Sequence, residues 1–484
     1  MAKNLLDSYE LTVNDIVINI SIYSDENETV PIYNLSITNI SETTKVILEK
    51  IREEFVSQEA KAPEEESLES SGIQQQFKKN IHVLLRKYFP TANKQTMDML
   101  INYILQQNIG LGNIEVLLKD NNLEEIVINN AHEPIWVYHR KYGWLKTNIT
   151  IPNESRIRYF STIIGRDVGK EITVLNPLMD AHLKTGDRVN STLRPISSKG
   201  NTITIRKFAV RPWTITDFIK EKSLTYEAAA LLWMAVQNEL SVIITGGTAS
   251  GKTSMLNVIA NFFPPNQRII SLEDTRELKL PNILHWVPLE TRLPNPEGKG
   301  GIDMLDLIVN SLRMRPDRII IGEIRKKKEA EVLFEAMHTG HSVYGTLHAS
   351  NIRETINRLT QPPIDLPKQI LSALSLIVVQ HINRRNGKRR TLQIGEVTHS
   401  GDARPIMQLN VIKDTLEKIN EPTTIYGTLN LYMGLSKEDT LKDIDEKIDI
   451  LKWMVKNDIT DINKIGLIMS KYYKKQPFKH IIAR

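Results

Sequence analysis

At 484 residues, 41% hydrophobic and 25% charged, the chain has an ordinary soluble composition and room for two or three domains. A net charge of only +5 gives no argument for a nucleic-acid binder, and the absence of cysteine excludes disulfides and thiolate metal sites. MAKNLLDSYE lacks a signal-peptide core and about 18 apolar residues never run together, so a cytoplasmic protein with at most peripheral membrane contact is expected.

Residues 1 to about 60 mix a β-rich opening, LTVNDIVINISIYS, with a helical TTKVILEKIREEFVSQ. EAKAPEEESLESSGIQQQ is acidic and nearly free of large apolar groups, which predicts a solvated linker closing an N-terminal extension over 1–76. From 77 to 210, helical MDMLINYILQQ and NIEVLLK precede short strands in LEEIVINN, PIWVYHRKYGWLKTNI and NTITIRKF, joined by Asn, Gly and Pro turns. A hinge is expected over 211–217, after which 218–396 alternates helix and buried strand. The strand candidates are SVIITG, RIISLED, RIIIGEI, SVYGTLHA and LIVVQHI, the pattern of a parallel sheet with helices on both faces. The tail, 397–484, carries an amphipathic helix pair, KEDTLKDIDEKIDILKWMVKN and DINKIGLIMSKYY, read as a small helical appendage.

The strand SVIITG runs into a sequence that fits G-x-x-x-x-G-K-[ST] and resumes with helical spacing. Gly246, Gly247, Thr248, Ala249, Ser250, Gly251, Lys252, Thr253 and Ser254 form this P-loop. Its glycines let backbone wrap a phosphate, and the following helix supplies free N–H groups and a positive dipole end. Lys252 would neutralise the β- and γ-phosphates and the Thr253 hydroxyl would sit on Mg²⁺. ATP with Mg²⁺ is therefore the expected ligand.

Downstream, Glu273 and Asp274 end one apolar strand, and Gly322 and Glu323 end another, where a parallel sheet presents groups to its ligand. His338, His341 and His348 follow in EAMHTGHSVYGTLHAS. The i,i+3 pair is conceivable as a zinc site, but glycine interrupts it and the H-E-x-x-H pattern is missing. Structural histidines and a nucleotide-sensing segment are the alternatives.

In this order GGTASGKTS, SLEDTREL, RMRPDRIIIGEIR and HTGHSVYGTLHA resemble the Walker A, aspartate box, Gly–Glu Walker B and histidine box of the secretion and pilus ATPase superfamily. VYHRKYGWLKTNI and the P-loop region most resemble its archaeal members, which drive archaella and type IV pili. The resemblance covers about residues 120 to 396, leaving the C-terminal helical appendage outside, and implies an α/β fold, with a RecA-like P-loop core behind a PAS-like α+β N-terminal domain. It further implies a homo-hexamer on an integral-membrane platform protein, driving a pilin-like filament. Glu323 would help to hold Mg²⁺ or polarise the attacking water, Glu273 is the preferred general base with the two roles exchangeable, and His348 lies beside the nucleotide. Arg188 and Arg206 would reach the γ-phosphate as fingers. A RecA-like nucleic-acid motor is the alternative, suggested by NRRNGKRR. A silent nucleotide-binding scaffold is disfavoured by the intact Lys252, Thr253, Glu273 and Glu323.

Overall fold

The computed structural model describes residues 3–13, 16–37, a few positions between 43 and 54, and 70–108. It further describes 111–183, 185–208, 211–292, 294 and 298–479. The chain divides into two compact units, Met1–Val210 and Arg211–Arg484.

The first unit is built on a nine-stranded sheet. Its strands are β1 (Asn4–Val13), β2 (Ile16–Ser24), β3 (Ile32–Ile37), β4 (Leu123–Ile128), β5 (Pro134–His139) and β6 (Gly143–Thr150). They are completed by β7 (Leu178–His182), β8 (Arg188–Thr192) and β9 (Thr202–Arg206). The spatial order is β1-β2-β3-β6-β5-β4-β9-β8-β7, with β3 and β6 parallel and the other pairs antiparallel. In β2 the isoleucines at 16, 18, 20 and 22 are all buried, the period-two face of a strand covered on one side.

That apolar face explains why the opening, expected as part of an extension, joins the main sheet instead. Asn148 donates to the Leu35 carbonyl at 2.9 Å and accepts the Leu35 N–H at 2.8 Å, locking β3 beside β6. The Tyr9 and Tyr33 hydroxyls both donate to the buried Asp120 carboxylate, at 2.6 and 2.8 Å. Helices α1 (Ser70–Tyr88), α2 (Lys94–Asn108), α3 (Asn113–Lys119) and α4 (Glu154–Asp167) lie in the same unit. Of the helix expected over 43–58, the described positions (43, 44, 46–48, 50, 51 and 54) are helical and the rest lie outside the described residues, as does 59–69 of the expected acidic linker, whereas 70–76 forms the start of α1.

The second unit opens with α5 (Ile215–Lys220) and α6 (Tyr226–Gln237). Then come β10 (Val242–Gly246), α7 (Lys252–Ala260), β11 (Arg268–Glu273), β12 (His285–Glu290), α8 (Met304–Leu312) and β13 (Arg318–Ile321). They are followed by α9 (Lys327–His338), β14 (Ser342–Leu347), α10 (Ile352–Thr360), β15 (Leu376–Ile382) and β16 (Arg389–Val397). β17 (Ala403–Asn410), β18 (Thr415–Lys418), α11 (Thr423–Met433), α12 (Lys437–Lys456) and α13 (Ile462–Tyr473) end it.

Its sheet runs β12-β11-β13-β14-β10-β15-β16-β17-β18, parallel through β15 and antiparallel beyond. Every residue of β10 is buried, and the strand lies between β14 and β15. The chain leaves β10 for β11 on one side and reaches β15 on the other. That makes the C-terminal end of β10 a crevice where α/β sheets take ligands.

Residues 211–217, expected as a hinge, carry a fixed helix cap. Thr214 and Asp217 form a capping box on α5, and Arg211 donates to Asp217 at 2.9 Å and to the Thr460 carbonyl at 2.8 Å. The C-terminal helices likewise close a layer. Ala228 to Val236 of α6 are buried without interruption, so this helix needs cover on the face turned from the sheet. Tyr472 supplies some of it, edge-on to Trp233 at 4.8 Å, while Trp233 stacks on Phe262 at 5.2 Å. Tyr473 donates to the Phe262 carbonyl at 2.6 Å and accepts from the Trp233 indole at 3.1 Å. Buried Glu396 on β16 accepts the N–H groups of Thr424 and Ile425, tying the first turn of α11 to the sheet.

Candidate functional site

Between β10 and α7 the chain makes the tight loop that its glycines allow. Gly246 has φ 154°, and a Cβ there would lie 2.4 Å from Ser250 Oγ and 2.5 Å from the Gln380 carbonyl oxygen. Gly251 is left-handed at φ 96° and caps α7 without a side chain, so no side-chain acceptor takes the N–H groups of the helix's first turn. Lys252 Nζ reaches back over the loop to the carbonyls of Gly246 at 3.1 Å and Gly247 at 3.0 Å. Burial holds its ammonium below the ordinary lysine range, opposed by the charge of Glu323. A glycine cradle, an open helix start and a desolvated cation form a receptor for phosphate. Thr253 and Ser254 follow, half-buried in that first turn.

Beside the loop, the ends of β11, β13 and β14 bring together a chain of charges. Lys252 Nζ is 3.4 Å from His348 Nδ1, and His348 Nε2 is 3.2 Å from Glu323 Oε1. Glu323 Oε2 accepts Arg325 Nε at 2.9 Å and Nη2 at 2.6 Å, while Arg325 Nη1 donates to Asp274 Oδ2 at 2.6 Å. Burial, and then the neighbouring Lys252 ammonium, press the His348 imidazole below its usual value. All four sequence motifs thus meet along one line of contacts. Arg325, which the sequence reading left without a role, is the cation that joins Asp274 to Glu323.

Glu273 sits differently. It is 2% exposed, and its Oε1 accepts the backbone N–H groups of Glu277 at 2.9 Å and Leu278 at 3.0 Å. Its Oε2 is buried without a hydrogen-bond partner. Burial therefore pushes this carboxyl up to about 7. Gly322 packs close by, where an added Cβ would lie 3.5 Å from Glu273 Cα.

This environment has a consequence for stability. Between pH 4.5 and about 7 the folded protein keeps a proton on Glu273 that the unfolded chain releases. Its contribution is present below pH 4.5 and is lost as pH rises through 7, on the order of 3 kcal/mol in all. Glu273→Gln, which cannot ionise, is expected to abolish that loss. Urea unfolding at pH 5 and pH 8 should show wild type losing roughly 2–3 kcal/mol more than the variant over that interval. Parallel pH profiles would mean that Glu273 is charged and solvated.

The other histidines go to separate partners. His338 Nε2 is 3.1 Å from the Ile370 carbonyl, and His341 Nδ1 is 3.3 Å from the Ala336 carbonyl. Among the described residues no group of three His, Cys, Asp or Glu could hold a metal ion. In the first unit, Arg188 forks onto Asp180 at 3.1 and 2.6 Å, and Arg206 lies opposite it in register on β9.

The basic hairpin in HINRRNGKRRTLQ, a possible nucleic-acid contact by sequence, spends two arginines inside the second unit. Arg390 forks onto Asp414 with bonds of 2.8 Å, holding that carboxyl down to about 2. Arg389 Nε donates to the Ala249 carbonyl, at 2.9 Å, in the P-loop itself. Sequence reading missed Arg389 because it lies 137 positions beyond Lys252, and a local charge run does not reveal which of its members turns inward.

A parallel α/β sheet with a P-loop at its switch point defines the class as a P-loop phosphate-binding protein. The comparisons make it narrower. The model of the type II/IV secretion system protein family matches residues 179–417. An uncharacterised protein of Methanocaldococcus jannaschii is 34% identical over 391 residues, covering 77% of this chain and 69% of that protein. The type IV secretion system protein PtlH of Bordetella pertussis is 26% identical over 306 residues, covering 56% of this chain and 89% of PtlH. Among solved structures, the ATPase DotB of Legionella pneumophila covers 76% of this chain and 93% of its own at 20% identity, with a TM-score of 0.45. The chain belongs to the type II/IV secretion system protein family.

Proposed function

We propose that this chain is a motor ATPase that binds ATP, hydrolyses it, and transmits the work to a pilus-like filament through an integral-membrane platform protein. In this reading it acts as a homo-hexamer, cytoplasmic and peripheral at the membrane. Among the described residues no helix is long and apolar enough to cross a bilayer. The observation that carries the reading is the line of contacts from Lys252 through His348 to Glu323 and Arg325, built on a P-loop in a chain of this family.

In the mechanism, the Gly246–Ser254 backbone and the open start of α7 bind the phosphates. Lys252 leaves its two loop carbonyls for the β- and γ-oxygens, and a partly desolvated ammonium acts there more strongly than one in water. Mg²⁺, for which the Thr253 hydroxyl and Glu323 are suitable oxygen donors, would neutralise charge on the same oxygens. Glu323 takes the water-facing role, supported by its link through His348 to the P-loop lysine. Glu273, capped by two backbone N–H groups, supports the floor of the site.

For Arg188 and Arg206 the support is the family resemblance alone. If both stabilise the transition state, the Arg188→Ala, Arg206→Ala double variant is expected to lose at least about a hundredfold in kcat with ATP affinity retained. Wild-type turnover would remove them from the mechanism.

The test of the whole reading is Mg²⁺-dependent ATP hydrolysis, measured with and without nucleic acid, beside the mass of the assembly in solution. Turnover by a hexamer, indifferent to DNA and RNA, is expected. Strong stimulation by nucleic acid would favour a RecA-like translocase, and absence of turnover would leave a scaffold.

A further inference from the structure

The Ala249 peptide lies at the crest of the P-loop in the left-handed region, at φ 61°, which costs an L-residue and needs outside support. Its carbonyl accepts Arg389 Nε at 2.9 Å. Arg389 opens β16, and its backbone is fixed twice. It pairs with Ile382 of β15, and its carbonyl accepts the Ser223 hydroxyl at 2.9 Å. The next residue but one, Thr391, donates its N–H to Ser223 at 3.2 Å and accepts the buried Gln380 amide at 2.8 Å. Gln380 also contributes the carbonyl that fills the space beside Gly246. The P-loop therefore rests on the β15–β16 pair at two points, Gly246 against Gln380 and Ala249 against Arg389.

We propose that Arg389 is a positioning residue of the nucleotide site: its Nε–H holds the Ala249 carbonyl turned outward, keeping the P-loop in the shape that accepts phosphate. A carbonyl free to rotate would swing its partial negative charge toward the phosphate cradle and oppose an anionic ligand. The bond is charge-assisted and comes from a rigid strand, so its loss should appear as weaker binding of every nucleotide that carries a β-phosphate. This inference rests on the proposed ATP-binding role of the loop.

Side-chain chemistry provides a sharp test. In arginine the donor Nε is bonded to Cδ, and in glutamine the donor Nε2 is bonded to Cδ as well. Arg389→Gln can thus place an N–H near the same point without the charge, while Arg389→Ala cannot. Fluorescent-nucleotide titration should give Kd values for ATP and ADP about tenfold higher in Arg389→Ala and close to wild type in Arg389→Gln. Steady-state kinetics should place the alanine loss in KM, with kcat at saturating ATP changed less than about threefold.

A wild-type Kd and KM in Arg389→Ala would overturn the proposal, as would a glutamine variant as weak as the alanine one. Should the alanine variant fail to fold, Arg389→Met, which keeps a long unbranched stem without the donor, takes its place in the comparison. Wild type and Lys252→Ala run alongside as references. If wild type itself binds no nucleotide, the ATP-binding reading fails; if it binds and Arg389→Ala binds equally well, only the role of Arg389 does.

Discussion

Replacing Lys252 with alanine is expected to lower kcat/KM for ATP by at least about 10⁴, through lost binding and lost transition-state stabilisation together. The ammonium is half-buried, and burial already holds it below the ordinary lysine range. That desolvation makes it costly to keep charged without a partner and valuable once phosphate arrives. Among the described residues its partners are the carbonyls of Gly246 and Gly247, at 3.1 and 3.0 Å, and His348. These are weak acceptors beside a triphosphate. The fold should survive, because α7 and β10 are held by an apolar core running through Val242, Ile244, Met255, Leu256 and Ile259. The check is a kinetic assay with radiolabelled ATP beside a thermal melt. Near-normal turnover in a folded Lys252→Ala protein would remove the P-loop from the chemistry.

Much of the second unit was legible because its signals are local. Val242 to Ile244 and Ile319 to Ile321 are continuous apolar runs, and Ile269 to Leu272 is interrupted only by the buried Ser271, as strands covered on both faces allow. β12, HWVPLE, is an edge strand whose interior residues are only half-buried and which contains proline, so nothing in its pattern announces pairing. β3, IYNLSI, holds its place through Asn148 and Asp120, residues more than 80 positions away. The site divides along the same line. Lys252, Thr253 and Glu323 stand at motif positions dictated by phosphate chemistry. The inward turn of Arg389 and the bridge of Arg325 between Asp274 and Glu323 depend on strand order, which no local spacing encodes.

The Asp274–Arg325–Glu323 bridge also bears on which glutamate handles water. Arg325 occupies one oxygen of Glu323 with two N–H groups and leaves the other toward His348 and the P-loop. Such a clamp orients a carboxylate without neutralising it by a proton, the condition for polarising a water molecule. Glu273 is held with comparable firmness, but by backbone N–H groups and under cover, with its carboxyl pushed up to about 7.

Glu323→Gln is therefore expected to lower kcat by about 10³ while ATP affinity stays within about threefold of wild type. Glutamine is nearly the same size and shape. Its amide oxygen can still accept from Arg325, so that bridge keeps its geometry and loses its charge, whereas its NH₂ can meet His348 Nε2 only if the imidazole turns its proton to Nδ1, beside Lys252. Lys252 and His348 would both shift further below their ordinary values, because the Glu323 charge is what now draws each of them up. Single-turnover quench-flow separates the steps, since bound ATP should persist unhydrolysed in the variant. Glu273→Gln serves as the comparison at pH 8, with an expected loss of less than about tenfold in kcat. If instead Glu273→Gln loses the 10³ and Glu323→Gln turns over normally, the two carboxylates exchange roles and the buried one is the base. If Glu323→Gln loses nucleotide binding, the clamp serves the shape of the P-loop, and the water must be oriented by another group.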